Sequence, residues 1–171
     1  MRFALCAALL IGCPHAEFAP LADAARAGDV ATIRNLIHQG ADPNQPGGGN
    51  NWTPLLHAIH KAQIKSVDAL LDGGADPNKV AGDGFTPLMM AAGYGYTDIV
   101  ELLLRRGANP HIAGAGGVRP LDLAAAGVAD IDRFTLFQCH EDTIAALRAA
   151  DPSLSLNPRA LMWARAKRCR V

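Results

Sequence analysis

Three prolines, Pro54, Pro87 and Pro120, stand 33 residues apart, each followed by Leu. A fixed period of this length makes the chain a row of similar units, none of which can bury its apolar face alone. Trp52-Thr53-Pro54-Leu55 leads to Leu70-Leu71-Asp72-Gly73-Gly74-Ala75-Asp76-Pro77-Asn78. Phe85-Thr86-Pro87-Leu88 leads to Leu103-Leu104-Arg105-Arg106-Gly107-Ala108-Asn109-Pro110, and Val118-Arg119-Pro120-Leu121 opens a further copy. An earlier, more divergent copy runs from Ala19-Pro20-Leu21 to Gly40-Ala41-Asp42-Pro43-Asn44. Its Pro20 lies 34 residues before Pro54, consistent with one extra residue in the glycine-rich turn at Gly47-Gly48-Gly49.

Each copy reads as two short helices. Thr53 and Thr86 are suited to cap a helix, and the following Pro sits at the first helical position, where its missing N–H costs nothing. Leu88, Met89, Ala91 and Ala92 make an apolar inner helix that Gly93 to Tyr96 ends. Thr97 or Asp98 can cap the second helix, whose Ile99, Val100, Leu102 and Leu103 face its neighbours. Gly107 supplies a left-handed C-terminal cap, and the segment after it turns back toward the next copy. Only 5% of the residues are aromatic, so Ala and Leu must do most of the packing.

The 33-residue period, with Thr-Pro-Leu and Gly-Ala-Asp-Pro-Asn at fixed offsets, resembles the ankyrin repeat over about residues 18–148. Leu56, Met89 and Asp122 stand where that family usually has a His. The resemblance implies an all-α ankyrin-repeat solenoid, with helix-turn-helix repeats joined by β-turn fingers. The expected repeats are about 18–44, 51–78, 84–111 and 117–150, the last carrying an insertion at about 127–141. The ends should be atypical and polar, which leaves the stack no need to pair, and a monomer is expected. After the 13–150 repeat domain, Asn157-Pro158 reads as the start of a C-terminal capping helix within 151–171, burying Leu161 and Trp163.

The resemblance also implies a non-catalytic module that binds a protein partner with the finger tips and the exposed side of the inner helices. Carried over position by position, that surface comprises Trp52, Phe85 and Val118 before each Pro-Leu, Asn51 and Asp83 at the tips, and His60, Lys61 and Tyr94 at the inner-helix ends. Trp52 and Phe85, 33 apart, are expected to stack in register as interface anchors.

Arg2 precedes the apolar run Phe3 to Ile11, followed by Gly12-Cys13. This is the layout of an export signal over residues 1–12, and Leu10-Ile11-Gly12-Cys13 resembles a bacterial lipobox, which would make Cys13 a lipidated, membrane-anchoring residue. The expected location is then periplasmic or membrane-anchored, with the cytoplasm as the alternative. In an oxidising compartment Cys139 and Cys169 form a disulfide closing a loop of about 30 residues, worth roughly 3 kcal/mol. In the cytoplasm they stay free thiols.

Other chemistry has little support. With 16 Lys and Arg against 16 Asp and Glu, no bulk positive charge favours nucleic acid. No phosphate-binding glycine motif, G-x-S-x-G or CxxC pair occurs, and neither a cofactor nor a metal is expected. His57 and His60 lack a nearby Cys or carboxylate and read as helix-surface residues. A thiol enzyme built on Cys139 and His140 is the rival from another class. A further alternative lies in the C-terminal tail, where Arg159, Arg165, Lys167, Arg168 and Arg170 follow Pro158 with no acid among them, leaving 11 bases against 16 acids before it. Such a tail suits a membrane surface or an acidic partner.

Overall fold

The computed structural model describes residues 20–47, 50–127 and 138–170. The export-signal residues 1–12, Cys13 and most of the 127–141 insertion lie outside them. Nine α-helices occur among the described residues: α1 (Pro20–Ala27), α2 (Val30–His38), α3 (Pro54–His60), α4 (Ile64–Asp72), α5 (Pro87–Tyr94), α6 (Thr97–Arg105), α7 (Pro120–Ala126), α8 (Glu141–Ala150) and α9 (Pro158–Ala166). None is long and apolar enough to cross a membrane.

The helices pack in two rows. The odd-numbered helices α1, α3, α5, α7 and α9 touch in succession, as do α2, α4, α6 and α8, and each pair α1–α2, α3–α4, α5–α6 and α7–α8 packs within itself. The inner row is close because one column of it is alanine: Ala24, Ala58, Ala91 and Ala124, all buried. Leu21, Leu55, Leu88 and Leu121 form the column beside it. The outer row contributes Ile33, Val67, Val100 and Ile144, then Leu70, Leu103 and Leu147, again buried. Each such leucine contributes about 1.5–3 kcal/mol by leaving water.

The caps follow local chemistry. Thr53 Oγ1 accepts from the Leu56 N–H at 3.4 Å, and Thr86 Oγ1 from the Met89 N–H at 3.2 Å. α7 begins differently, because Arg119 replaces Thr. Its backbone N–H donates to Asp122 Oδ2 at 3.0 Å, while Asp122 Oδ1 accepts from the Asn157 N–H at 2.8 Å. Asp122, in the place of the family's usual His, thus clasps the start of α9 onto α7. Neither Thr97 nor Asp98 caps α6. Tyr96 holds the N-cap position without a side-chain bond, and the Thr97 hydroxyl pairs with that of Thr143 on α8 at 2.9 Å.

The Asp-Pro-Asn turns join successive copies. Asn44 donates Nδ2–H to the Gly74 carbonyl at 3.0 Å and accepts the Asp76 N–H at 2.7 Å. Asn78 repeats both bonds, to the Gly107 carbonyl at 3.0 Å and from the Asn109 N–H at 2.7 Å. In the next turn His111 takes this place, with Nε2 at 2.6 Å from Asp151 Oδ2. On the outer row, Arg106 adds ion pairs to Asp68 and Asp72 at 2.6 and 2.7 Å.

α9 corrects one expectation. It starts as foreseen, with Asn157 Oδ1 accepting the Ala160 N–H at 2.8 Å. It buries Ala160 and Ala164, however, while Leu161 is half-buried and Trp163 is 42% exposed. Two alanines one turn apart let the helix approach α7 closely, and that rotates the larger side chains outward. The Cys139 and Cys169 side chains meet, with Cα atoms 6.1 Å apart, which sets the chain beyond α9 against the start of α8.

Candidate functional site

The fingers between copies close by one repeated bond. Gly47, Ala81 and Gly114 donate their N–H groups to the carbonyls of Trp52, Phe85 and Val118, at 2.8, 2.9 and 2.8 Å. The first finger spans one residue more than the other two, which accounts for the 34-residue spacing from Pro20 to Pro54. Trp52, Phe85 and Val118 are therefore equivalent in the backbone, but their side chains are not.

Trp52 is half-buried and begins a row of rings along the C-terminal ends of the inner helices. Its ring lies 5.3 Å from that of His60 edge-on and 5.6 Å from that of His57. His60 lies 5.7 Å from Tyr94, and Tyr94 stacks on Tyr96 at 5.5 Å. His60 Nδ1 and the Tyr94 hydroxyl are 3.2 Å apart. Asp83 at the next finger tip fixes the Trp52 end: its Oδ2 accepts the indole N–H at 2.6 Å, and its Oδ1 accepts the Phe85 N–H at 3.1 Å. Rings at centroid distances of 4.5–7 Å in tilted or offset geometry support one another.

Of the residues read from the sequence, Trp52, His60, Tyr94 and Asp83 thus come together. Lys61 is half-buried at the end of α3 beside His60, and Asn51 is exposed at the first finger, with φ 58°. Phe85 is half-buried, and the expected stack of Trp52 on Phe85 is replaced by the contacts of Trp52 with His57 and His60. Val118 lies elsewhere, on a hollow of about 240 Å³ shared with Leu123, Ala126, Arg159 and Trp163. Tyr96 was not singled out. Its signal is positional: it takes the N-cap place of an outer helix, as Gln63 does one copy earlier.

His57 corrects its reading as a surface residue. It is buried, with Nε2 2.9 Å from the Gly47 carbonyl, so it holds the base of the first finger. Burial pushes its imidazole below the ordinary 6.5, against the opposing pull of the Gly47 carbonyl. His140 is shifted down by burial in the same way, with Nε2 3.1 Å from the Gly93 carbonyl. A Cys139–His140 couple is not formed: the imidazole is turned to α5 and the sulfur to Cys169. Among the described residues, no three side chains of His, Cys, Asp or Glu gather as a metal-ion group.

The paired helices, Thr-Pro caps and bonded Asp-Pro-Asn turns define an ankyrin stack, and the family model for ankyrin repeats matches residues 21–131 as three copies. The chain belongs to the ankyrin-repeat family, an all-α repeat solenoid whose members serve as protein–protein interaction modules and are typically non-catalytic. Among curated proteins, a 44-residue stretch, 26% of the chain, is 41% identical to part of the phosphate system positive regulatory protein PHO81 of Saccharomyces cerevisiae. The match spans 4% of that protein's length.

Proposed function

We propose that the protein is a non-catalytic scaffold that grips a protein partner with the row Trp52, His60, Tyr94 and Tyr96, framed by Asn51, Lys61, Asp83 and Phe85. The ring row carries this reading. Four adjacent rings, His60 and Tyr94 at the ends of neighbouring inner helices with Trp52 and Tyr96 beside them, offer a large, stiff surface that loses little side-chain entropy on binding, and interface hot spots are rich in such groups. Val118 falls outside this surface. The scaffold works in the cell envelope after removal of residues 1–12, held there through a lipidated Cys13, with Cys139 and Cys169 oxidised. The apolar run before Gly12-Cys13 and the closeness of the two later cysteines support that location.

The binding test uses the full chain with a photo-crosslinker at Lys61, and its Tyr94→Ala and His60→Ala variants. Partners crosslinked by the wild type should be lost from both variants while their helical signal and urea midpoint stay close to wild type. Unchanged crosslinking in the folded variants would refute the ring row. The location is tested by intact mass of the membrane fraction. Loss of residues 1–12, added lipid mass and a two-proton gain on reduction are expected. A chain beginning at Met1 with free thiols would refute it.

A further inference from the structure

The outward face of α9 has no role in the ring row, and it combines two properties found together nowhere else among the described residues. Met162 is 63% exposed and Trp163 is 42% exposed, side by side on one helix, whereas the other exposed large hydrophobics, Ile64 and Val80, stand singly. Arg159 precedes them by three and four residues, Arg165 follows Met162 by three, and Lys167, Arg168 and Arg170 come at the helix end. All five bases are exposed, and the stretch holds no acid.

The face is held rather than frayed. Ala160 and Ala164 are buried against α7, the Asn157 N–H is clasped by Asp122, Cys169 meets Cys139, and the Arg170 N–H donates to Glu141 Oε1 at 3.1 Å. Glu141 and Asp142 are the exposed carboxylates nearest the chain end, both at the start of α8, and Asp122 is buried beneath α9.

We propose that this face docks on an anionic lipid surface, the Met162 and Trp163 side chains entering the headgroup boundary and the bases neutralising lipid phosphates. A nine-residue helix is about 13 Å long. That is short for the patch of roughly 800 Å² that a stable protein interface needs on each partner. A fluid anionic surface demands no matching shape, adds its attraction base by base, and favours Trp at the boundary between water and hydrocarbon.

The experiment uses the full chain with vesicles of phosphatidylcholine alone and with about one third phosphatidylglycerol. The neutral vesicles report whatever the apolar Phe3 to Ile11 run contributes. Wild type should partition far better onto the anionic vesicles at low salt, with a shift of tryptophan emission to shorter wavelength that is absent in Trp163→Phe. Each base contributes about fivefold, so Arg159→Gln/Arg165→Gln/Arg168→Gln should weaken anionic-vesicle binding on the order of a hundredfold. Tyr94→Ala should bind these vesicles like wild type. Equal partition onto both vesicle types would overturn the proposal, as would an anionic increment that survives the triple substitution. Binding to poly-glutamate with no emission shift on vesicles would assign the face to an acidic protein partner instead, and equally overturn it.

Discussion

Asn78→Ala removes one rung of the ladder between adjacent copies and leaves the core untouched. The substitution deletes the bond to the Gly107 carbonyl at 3.0 Å and the one from the Asn109 N–H at 2.7 Å. Its backbone bond to Asp76 Oδ1, at 2.8 Å, remains. A neutral hydrogen bond is worth about 1 kcal/mol net, so the pair is worth about 2 kcal/mol. For a chain of this size that lowers the melting temperature by about 4–8 °C. Asn44→Ala should cost the same, because its two bonds have the same lengths. Asn78→Asp keeps the acceptor for Asn109 but loses the donor and sets a carboxylate against the Gly107 carbonyl, so it should recover none of the donor's share. Urea denaturation followed by circular dichroism gives all three values. A loss below about 0.5 kcal/mol for Asn78→Ala would refute the claim that these bonds, beyond apolar stacking, hold the copies in register.

Three further outcomes are expected. The folded-state values of His57 and His140 lie below 6.5, so stability should be full above that pH and decline as pH falls beneath it, where the unfolded chain takes up protons first. The folded-state value of Asp151 is held below 3.8 chiefly by its bonds to Ser153, so a second decline belongs below that pH. Urea midpoints taken across pH should show both, and a midpoint flat from about pH 8 to pH 5 would contradict the histidine burial. Leu103→Ala, at a fully buried position, should cost about 2–5 kcal/mol by the same assay. Gly95→Ala should cost more than Gly107→Ala. Both glycines have positive φ, 72° and 87°, but only at Gly95 would the added methyl run into a neighbour, the His140 ring. Equal losses would show that the ring yields freely.

What the sequence disclosed was whatever depends on near neighbours in the chain. Thr53-Pro54 and Thr86-Pro87 announce helix starts because a cap bonds within one turn, and the alanine and leucine columns follow from the repeat period, which slips by one residue only at the first finger. Asn44 and Asn78 read only as turn residues, since their partners lie about 30 positions away and meet them only once the stack has formed. His57 was misread because its partner, the Gly47 carbonyl, reaches it across a finger. Trp163 was expected against the last repeat, but α9 turns by the close approach of Ala160 and Ala164. Of the candidate residues carried over from the family, Trp52, His60 and Tyr94 are linked by ring contacts. Val118 shares its backbone position with Trp52 but lies on different ground, because α9 packs beside it.

The Asn rungs make each copy a part with matched fittings. A unit ending in Asn78 presents one donor and one acceptor, and the next unit meets them with a carbonyl and an N–H that belong to the backbone and do not depend on side-chain identity. A unit could be duplicated or deleted whole in the course of descent, and the joint on either side would still mate. The joint at His111 and Asp151 is of another make, side chain to side chain, and Asp122 clamps α9 just beyond it. Growth of the array by duplication can therefore proceed among the central units, while the joint between His111 and Asp151 needs its own pair of side chains and would not mate with a copied unit.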